Sequence, residues 1–514
     1  MSAQTEDVWS AQDQNEDSPL LGPEADAPSS SSSPAKKTSD GDTWRYDVVM
    51  MVAAIVFFLE VGSYMTVPSR NKIMEQNICR AHYPDLVDDQ STLEDSLCRG
   101  PEVQGKIASL NGWTYMLECI PGLLTAIPYG VATDRFGRKP LLAIALFGYM
   151  LYLLWMIVIL ALPAVFPIEL YLLGPLFLFI GGELMNSVFY TMGADVVPAA
   201  KMAVVYLQLG AVSFGGELVG AQVGGVATDR DPWLSLLLGF GLIVIAFLGI
   251  FLLPETMHLR TEMISDVDSP IRLTDEPSED LDEDASPRKT TRVLREGFGL
   301  MKGQLKEAVT VVYGNSHLML LLLALTFAIA GKFISNILLQ YAMKRYDISW
   351  GRAAELVSLR SVFVIIWQLA VLPMVSWLLV TKAGLTPVVK DLWLGRGSVF
   401  GLSIGSLLVA FAATPAMLVF ALVVLSLGFS FPYIIRSVLN TLVDEQYVGT
   451  LNATIGLCEK IGIMVASPIM SSLLKKGMEL GDGWMGLPFF FAAGVFSVSA
   501  LIVWVFRLRP GEPH

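Results

Sequence analysis

This chain is poor in the side chains on which most catalysis and metal binding depend. It has 514 residues but only four histidines and four cysteines. His82, His258, His317 and His514 all stand outside the deep parts of its apolar segments. No His/Cys cluster shows metal-ligand spacing, so no metal and no cofactor is expected. A Walker-A run and a Gly-rich nucleotide loop are also missing, which points to an ion gradient rather than ATP as the energy source. Charged residues make up 16% of the chain, and no basic, aromatic-bearing stretch suggests a nucleic-acid surface. No signal peptide is read at the N-terminus, where residues 1–45 are polar and acidic.

What the chain has in place of these is oil-soluble sequence. It is 53% hydrophobic with a mean hydropathy of +0.55, unlike a soluble protein. Twelve long apolar segments are legible, and at roughly 20 residues per span they leave no room for a soluble catalytic domain. The third, sixth, ninth and twelfth (Leu141–Leu160, Leu234–Leu253, Ser398–Ala413 and Leu487–Phe506) carry no charged side chain. The other eight carry Glu60, Glu118, Glu183, Glu217, Lys332, Arg360, Arg436, and Glu459 with Lys460. A charge inside a bilayer costs a few kcal/mol or more, so such residues face protein or a wet cavity. A strict period of three therefore predicts that two helices in three line something polar while the third faces lipid, as in a transport pathway built from three-helix units.

The predicted organisation is a disordered cytoplasmic tail (1–45), six spans (46–255), an acidic cytoplasmic linker (256–315), six more spans (316–508) and a short cytoplasmic tail (509–514). The first span is read at Val48–Val67, then a polar loop before a second span at Ile107–Gly130. Arg135, Arg138 and Lys139 lie between spans two and three, and Lys382, Lys390 and Arg396 between spans eight and nine. The loops after spans three and nine have no basic residue. The positive-inside rule then places both termini in the cytoplasm. The linker packs ten acids into Glu262–Asp284, with Ser269-Pro270 and Ser286-Pro287 as candidate phosphorylation sites, and residues 294–309 can form an interfacial amphipathic helix. Glu16 to Leu21 resembles an acidic dileucine sorting signal.

Between spans two and three stands Gly130-Val131-Ala132-Thr133-Asp134-Arg135-Phe136-Gly137-Arg138-Lys139-Pro140. Its glycines allow a tight turn and close helix approach. Asp134 can accept hydrogen bonds from a helix N-terminus or an arginine, forming a breakable cytoplasmic latch. The run resembles the signature loop of the major facilitator superfamily at Gly130, Asp134, Arg135, Gly137, Arg138 and Lys139, and Lys390 to Gly397 looks like a degenerate second copy. The resemblance implies an all-α membrane protein with twelve transmembrane helices in two pseudo-symmetric six-helix bundles, a central cavity and alternating access. It also implies helices 3, 6, 9 and 12 at the periphery. Ile78-Cys79-Arg80 and Gly486-Leu487-Pro488-Phe489 look like fungal members, and a looser likeness runs to proton-coupled folate carriers.

Burial raises a carboxyl pKa and a nearby cation lowers it, so a cavity Glu can be poised to take and release a proton. Glu60 and Glu183 are the first choices for proton coupling, because the first and fourth spans line the cavity in the resembled fold; Glu118 and Glu217 follow. Lys332, Arg436 and Glu459 are candidates for substrate contact or counter-charge, Lys332 as an anion ligand across the bundle interface. Arg360 and Arg436 stand near span ends, where snorkelling is the simple expectation. Gly216, Gly220 and Gly224 are spaced to let another helix approach closely. Tyr64, Gln208, Tyr341, Trp367 and Gln368 can contact a substrate, although such residues more often pack.

Gly401-Leu402-Ser403-Ile404-Gly405 matches the serine-hydrolase pattern but lies within a span, so chance explains it better. Asn452-Ala453-Thr454 matches a glycosylation acceptor at a cytoplasmic end, where it stays unmodified. Cys79 and Cys98 share the first outside loop and are expected to form a disulfide; Cys119 and Cys458 lie in spans. The function expected is not enzymatic: it is proton-coupled secondary transport of a small organic molecule by a monomer embedded in lipid, with export of a secondary metabolite or xenobiotic favoured by the fungal resemblance. Proton-coupled uptake of a folate-like organic anion is the alternative, and a non-transporting receptor or scaffold the third reading. The plasma or vacuolar membrane is the expected location.

Overall fold

The computed structural model describes residues 45–84, 95–181, 185–197, 202–256, 316–443 and 448–506. Glu183, the dileucine-like run, the acidic linker with its Ser-Pro sites and candidate interfacial helix, and the terminal tails lie outside the described residues. Regular structure among the described residues is helical throughout. The first three spans are α1 (Tyr46–His82), α2 (Pro101–Phe136) and α3 (Arg138–Ala161). The fourth is divided into a 3-10 helix, Ile168–Ile180, and α4, Met185–Asp195. Then come α5 (Met202–Arg230) and α6 (Pro232–Ile250). In the second half, α7 runs over Ser316–Lys332 and resumes past Phe333 as Ile334–Tyr346. It is followed by α8 (Trp350–Thr381), α9 (Pro387–Phe411), α10 (Pro415–Thr441), α11 (Val448–Leu480) and α12 (Leu487–Val505).

Helix α1 corrects one boundary. The first span was expected to end at Val67, yet the helix continues through Pro68 to His82. A proline removes one backbone donor, here the one that would serve the Tyr64 carbonyl; on either side Thr66 Oγ1 donates to the Ser63 carbonyl at 2.7 Å and Ser69 Oγ to that of Met65 at 3.0 Å. At 37 residues the helix is about 55 Å long, which draws Arg70 and Glu75 into it.

The glycine stripe of α5 faces α1. A Cβ added at Gly220 would stand 2.5 Å from the Val61 carbonyl oxygen, and one at Gly224 2.7 Å from Met65 Cα. Only glycine permits this approach, which holds Glu60 of α1 against α5. Gly220→Val should destabilise the protein by about 1–3 kcal/mol through overpacking. Gly210→Ala, with nothing within 4 Å of the added carbon, should leave the thermal melt of detergent-purified protein unchanged; equal melts for the two variants would contradict this packing.

The halves, α1–α6 and α7–α12, meet through two long contacts, α2 on α11 and α5 on α8. Adding six to each number of the first pair, modulo twelve, gives the second, as a pseudo-twofold axis between the halves requires. The charge-free helices α6, α9 and α12 show broad apolar faces, with Leu237, Leu248, Phe400, Phe411, Leu501 and Trp504 exposed. Span three departs from the expectation that it faces lipid alone. Ile144, Phe147 and Leu154 are exposed, but Tyr149, Tyr152 and Leu153 on its other side line the central cavity. Phenol hydroxyls supply polarity there without charge. Ser403, the hydrolase-like serine, lies inside the continuous helix α9 and shares a 2.7 Å hydrogen bond with Ser497 of α12, so its role is helix packing.

Candidate functional site

A cavity of about 440 Å³ lies between the halves, walled by α1, α2, α3, both pieces of the fourth span, α5, α7 and α8. Glu60, Glu118 and Glu217 all line it, together with Arg70 and Arg360. Glu217 on α5 and Arg360 on α8 form an ion pair that joins the two halves. They are only 6% and 7% exposed, so Arg360 does not snorkel: its guanidinium turns inward to Glu217. Gln222 of α5 reinforces the same seam, donating to the Glu355 carbonyl at 3.0 Å and to Ser358 Oγ at 2.8 Å. Glu118 accepts a hydrogen bond from the Tyr152 hydroxyl. Glu60 meets the Ser213 hydroxyl and makes no ion pair among the described residues. Glu183 lies outside the described residues, two positions before Met185, which lines the cavity.

The other candidates are placed elsewhere. Lys332, at the break in α7, has its Nζ 4.4 Å from the Phe429 ring centroid and donates to the Phe429 carbonyl at 3.3 Å. It contacts α10 of its own half rather than the cavity wall. Arg360 approaches the same ring at 5.0 Å. Arg436 and Glu459 pair with each other at 3.1 Å. Of the aromatic and amide candidates, Tyr64 lines the cavity. Tyr341 is buried and donates to the Val409 carbonyl at 3.0 Å, in keeping with a packing role.

Two polar clusters bracket the cavity. At the signature loop, Gly137 takes φ of 95°, a conformation that favours glycine. The helix N-terminus that follows is capped by Glu255, which accepts from the backbone N–H of Arg138 at 2.8 Å and of Lys139 at 3.2 Å. Buried Arg138 pairs with buried Asp195 of α4 at 3.3 Å, and Thr256 donates to the same carboxylate. The side chains of Asp134 and Arg135 lie outside the described residues, and Gly130 has open space about it. Sequence reasoning named Arg138 but missed Asp195 and Glu255, its partners from other helices.

At the opposite end Glu75, 2% exposed, accepts from Gln104 at 2.6 Å and from the Trp350 indole of the second half at 2.9 Å. Gln340 donates to the Gln104 carbonyl at 2.8 Å, and Lys344 to the Arg99 carbonyl at 2.6 Å. Arg99 also bonds to Asp347. The Cys79–Cys98 disulfide ties the short helix carrying Cys98, and so Arg99 beside it, to α1. Thiol labelling of denatured, unreduced protein should find Cys119 and Cys458 reactive and Cys79 and Cys98 blocked; free thiols at both would contradict the bond.

A membrane-spanning bundle of two related halves around a charged cavity, with a polar cluster at each end, is the architecture of a membrane transporter. The Major Facilitator Superfamily model matches residues 101–467, and the chain belongs to that family of multi-pass membrane transporters of small molecules. It is 27% identical to the MFS efflux pump atnC of Emericella nidulans, over 98% of this chain and 95% of that one. It is 28% identical to the efflux pump ustT of Aspergillus flavus, over 88% and 87%. Among solved structures, the nucleoside transporter NupG aligns with a TM-score of 0.60 at 13% identity, covering 89% of this chain and 99% of that one. A D-xylose-proton symporter aligns at 0.58 with 15% identity, covering 90% and 98%. At these identities the structural likeness concerns the fold alone.

Proposed function

We propose that this protein is a proton-driven exporter of a small organic molecule, acting as a monomer with both termini in the cytoplasm of a plasma or vacuolar membrane. Two relatives named as efflux pumps over nearly their whole length support the direction. One observation carries the coupling: Glu60 lines the cavity without an ion pair among the described residues, beside the Glu217–Arg360 bridge between the halves. Glu60 can gain or lose a proton without breaking a salt bridge, and its charge acts on the bridge that links the halves. Protonation from the outer side and release to the inner side would bias the seam and so the direction of opening. Glu118 and Glu183 stand as further proton carriers. The Arg138–Asp195–Glu255 cluster serves as the cytoplasmic latch, and the Glu75–Trp350 cluster as the outer one.

Uptake of an organic anion is favoured by two features, Lys332 and the absence from α5 of the Gly-Pro pair of drug antiporters; the first is weakened, since Lys332 turns to Phe429 of its own half. The test is accumulation of fluorescent aromatic solutes in everted vesicles with an acidic lumen. Accumulation that collapses on adding a protonophore is expected. Accumulation indifferent to the protonophore would remove proton coupling, and none with any solute would remove export.

A further inference from the structure

The cavity holds a cation for which the coupling mechanism has no use. Arg70 lies ten residues beyond Glu60 on α1, about 15 Å further along the helix axis, so the cavity is electrically divided along its length. Glu60 and the Glu217–Arg360 bridge stand at one level and Arg70 at the other, with Glu118 within its electrostatic reach. A guanidinium carries five N–H donors in a planar fork, and among the described residues few of these find a partner. One hydrogen bond goes to the Tyr115 hydroxyl. Nη1 reaches only the Met156 thioether, at 3.7 Å, and thioether sulfur is a weak acceptor. Nε is buried with no partner. Arg70 forms no ion pair among the described residues: Arg360 holds Glu217, and Tyr152 donates to Glu118. Close behind it the Tyr171 hydroxyl is fully buried and also unpartnered.

Donors left unmade in a largely enclosed site are costly, and the carboxylate within electrostatic reach of Arg70, Glu118, already accepts from the Tyr152 hydroxyl. We infer that Arg70 is the anchor for the acidic group of the substrate, and that the cargo is an aromatic or otherwise planar carboxylic acid. This deepens the export reading and rests on it. The guanidinium fork matches a carboxylate in two-point geometry, and Tyr64, Tyr115, Tyr149 and Tyr152 give the same cavity aromatic walls. A molecule with its acid at Arg70 extends toward Glu60, and the carboxylate separation along α1 keeps the two negative charges apart.

The experiment is equilibrium binding to the purified full chain in detergent, with 1-naphthoate, 1-naphthamide and 1-naphthylamine as probes of one shape and three charges. Naphthoate should bind at least tenfold more tightly than either of the others. Arg70→Gln should abolish that preference, Arg70→Lys should keep part of it, and Leu237→Ala on the lipid face should not alter it. Equal binding of acid and amide, preference for the amine, or no binding of naphthoate at millimolar concentration would each overturn the assignment. The wild-type comparison stands even if Arg70→Gln does not fold. Because no gradient is used, an exporter of neutral or cationic cargo would fail this test and still pump in vesicles, so the two readings fail separately.

Discussion

Glu217→Gln should lower the stability of the purified protein by about 3–5 kcal/mol, the usual cost of breaking a buried pair by removing one partner. The magnitude follows from what is left behind. Arg360 is 7% exposed and would keep its charge after losing the ion-pair partner it has among the described residues. Lys332 shares the Phe429 ring with it, at 4.4 Å against 5.0 Å, so two cations would face each other across one aromatic face. Glu217→Gln with Arg360→Gln should recover most of the loss, because the second change removes the stranded charge. The check is thermal unfolding of the two single variants and the double. A double variant no better than Glu217→Gln alone would mean that the bridge is not the source of the loss. Since Glu217 belongs to α5 and Arg360 to α8, the single variants should also loosen the seam between the halves.

The second large effect is on flux. Glu60→Gln keeps the size and much of the hydrogen bonding of the side chain but cannot take up a proton. Solute accumulation driven by a pH gradient should fall tenfold or more, while solute exchange at equal pH on both sides should persist. That separation matters, because a variant that merely misfolds loses both. Glu118→Gln should do less, since the Glu118 carboxylate is already occupied by the Tyr152 hydroxyl. Proton-driven accumulation at the wild-type rate in Glu60→Gln would move the coupling role to another carboxylate, with Glu183 the next to test.

Much of this was legible from one rule about charge. Helices α6, α9 and α12 have no charged residue in their apolar spans because nothing there compensates a charge in lipid, and they present apolar faces outward. Four glutamates of the first half were drawn from the sequence by the same rule, and the three described ones share a cavity; Glu459 of the second half pairs with Arg436 instead. The rule cannot see partners. Glu217 and Arg360 are 143 positions apart, and their pairing arises from helix packing that no local pattern records. Charge counting was also blind to uncharged polarity, which is why Tyr149 and Tyr152 of α3 were assigned to a lipid-facing helix. Arg70 was missed for a different reason: the first span was ended at Val67, before a proline, which usually marks a helix boundary, whereas α1 continues to His82. Asp195 and Glu255 stood at predicted span ends, but their convergence on Arg138 needed three helices in place.

The central claim is that polar side chains have been sorted onto helices bordering a water-filled route between the halves. Cysteines placed singly at Ser63 and Asn336, both cavity-lining, and at Leu237 and Leu501, both on charge-free helices, test it directly in a protein whose Cys119 and Cys458 have been replaced by alanine. A hydrophilic maleimide applied to the protein in membranes should label the first two quickly and the last two barely. Slow labelling at Ser63 and Asn336 together with fast labelling at Leu237 and Leu501 would put the water on the wrong side of the helices.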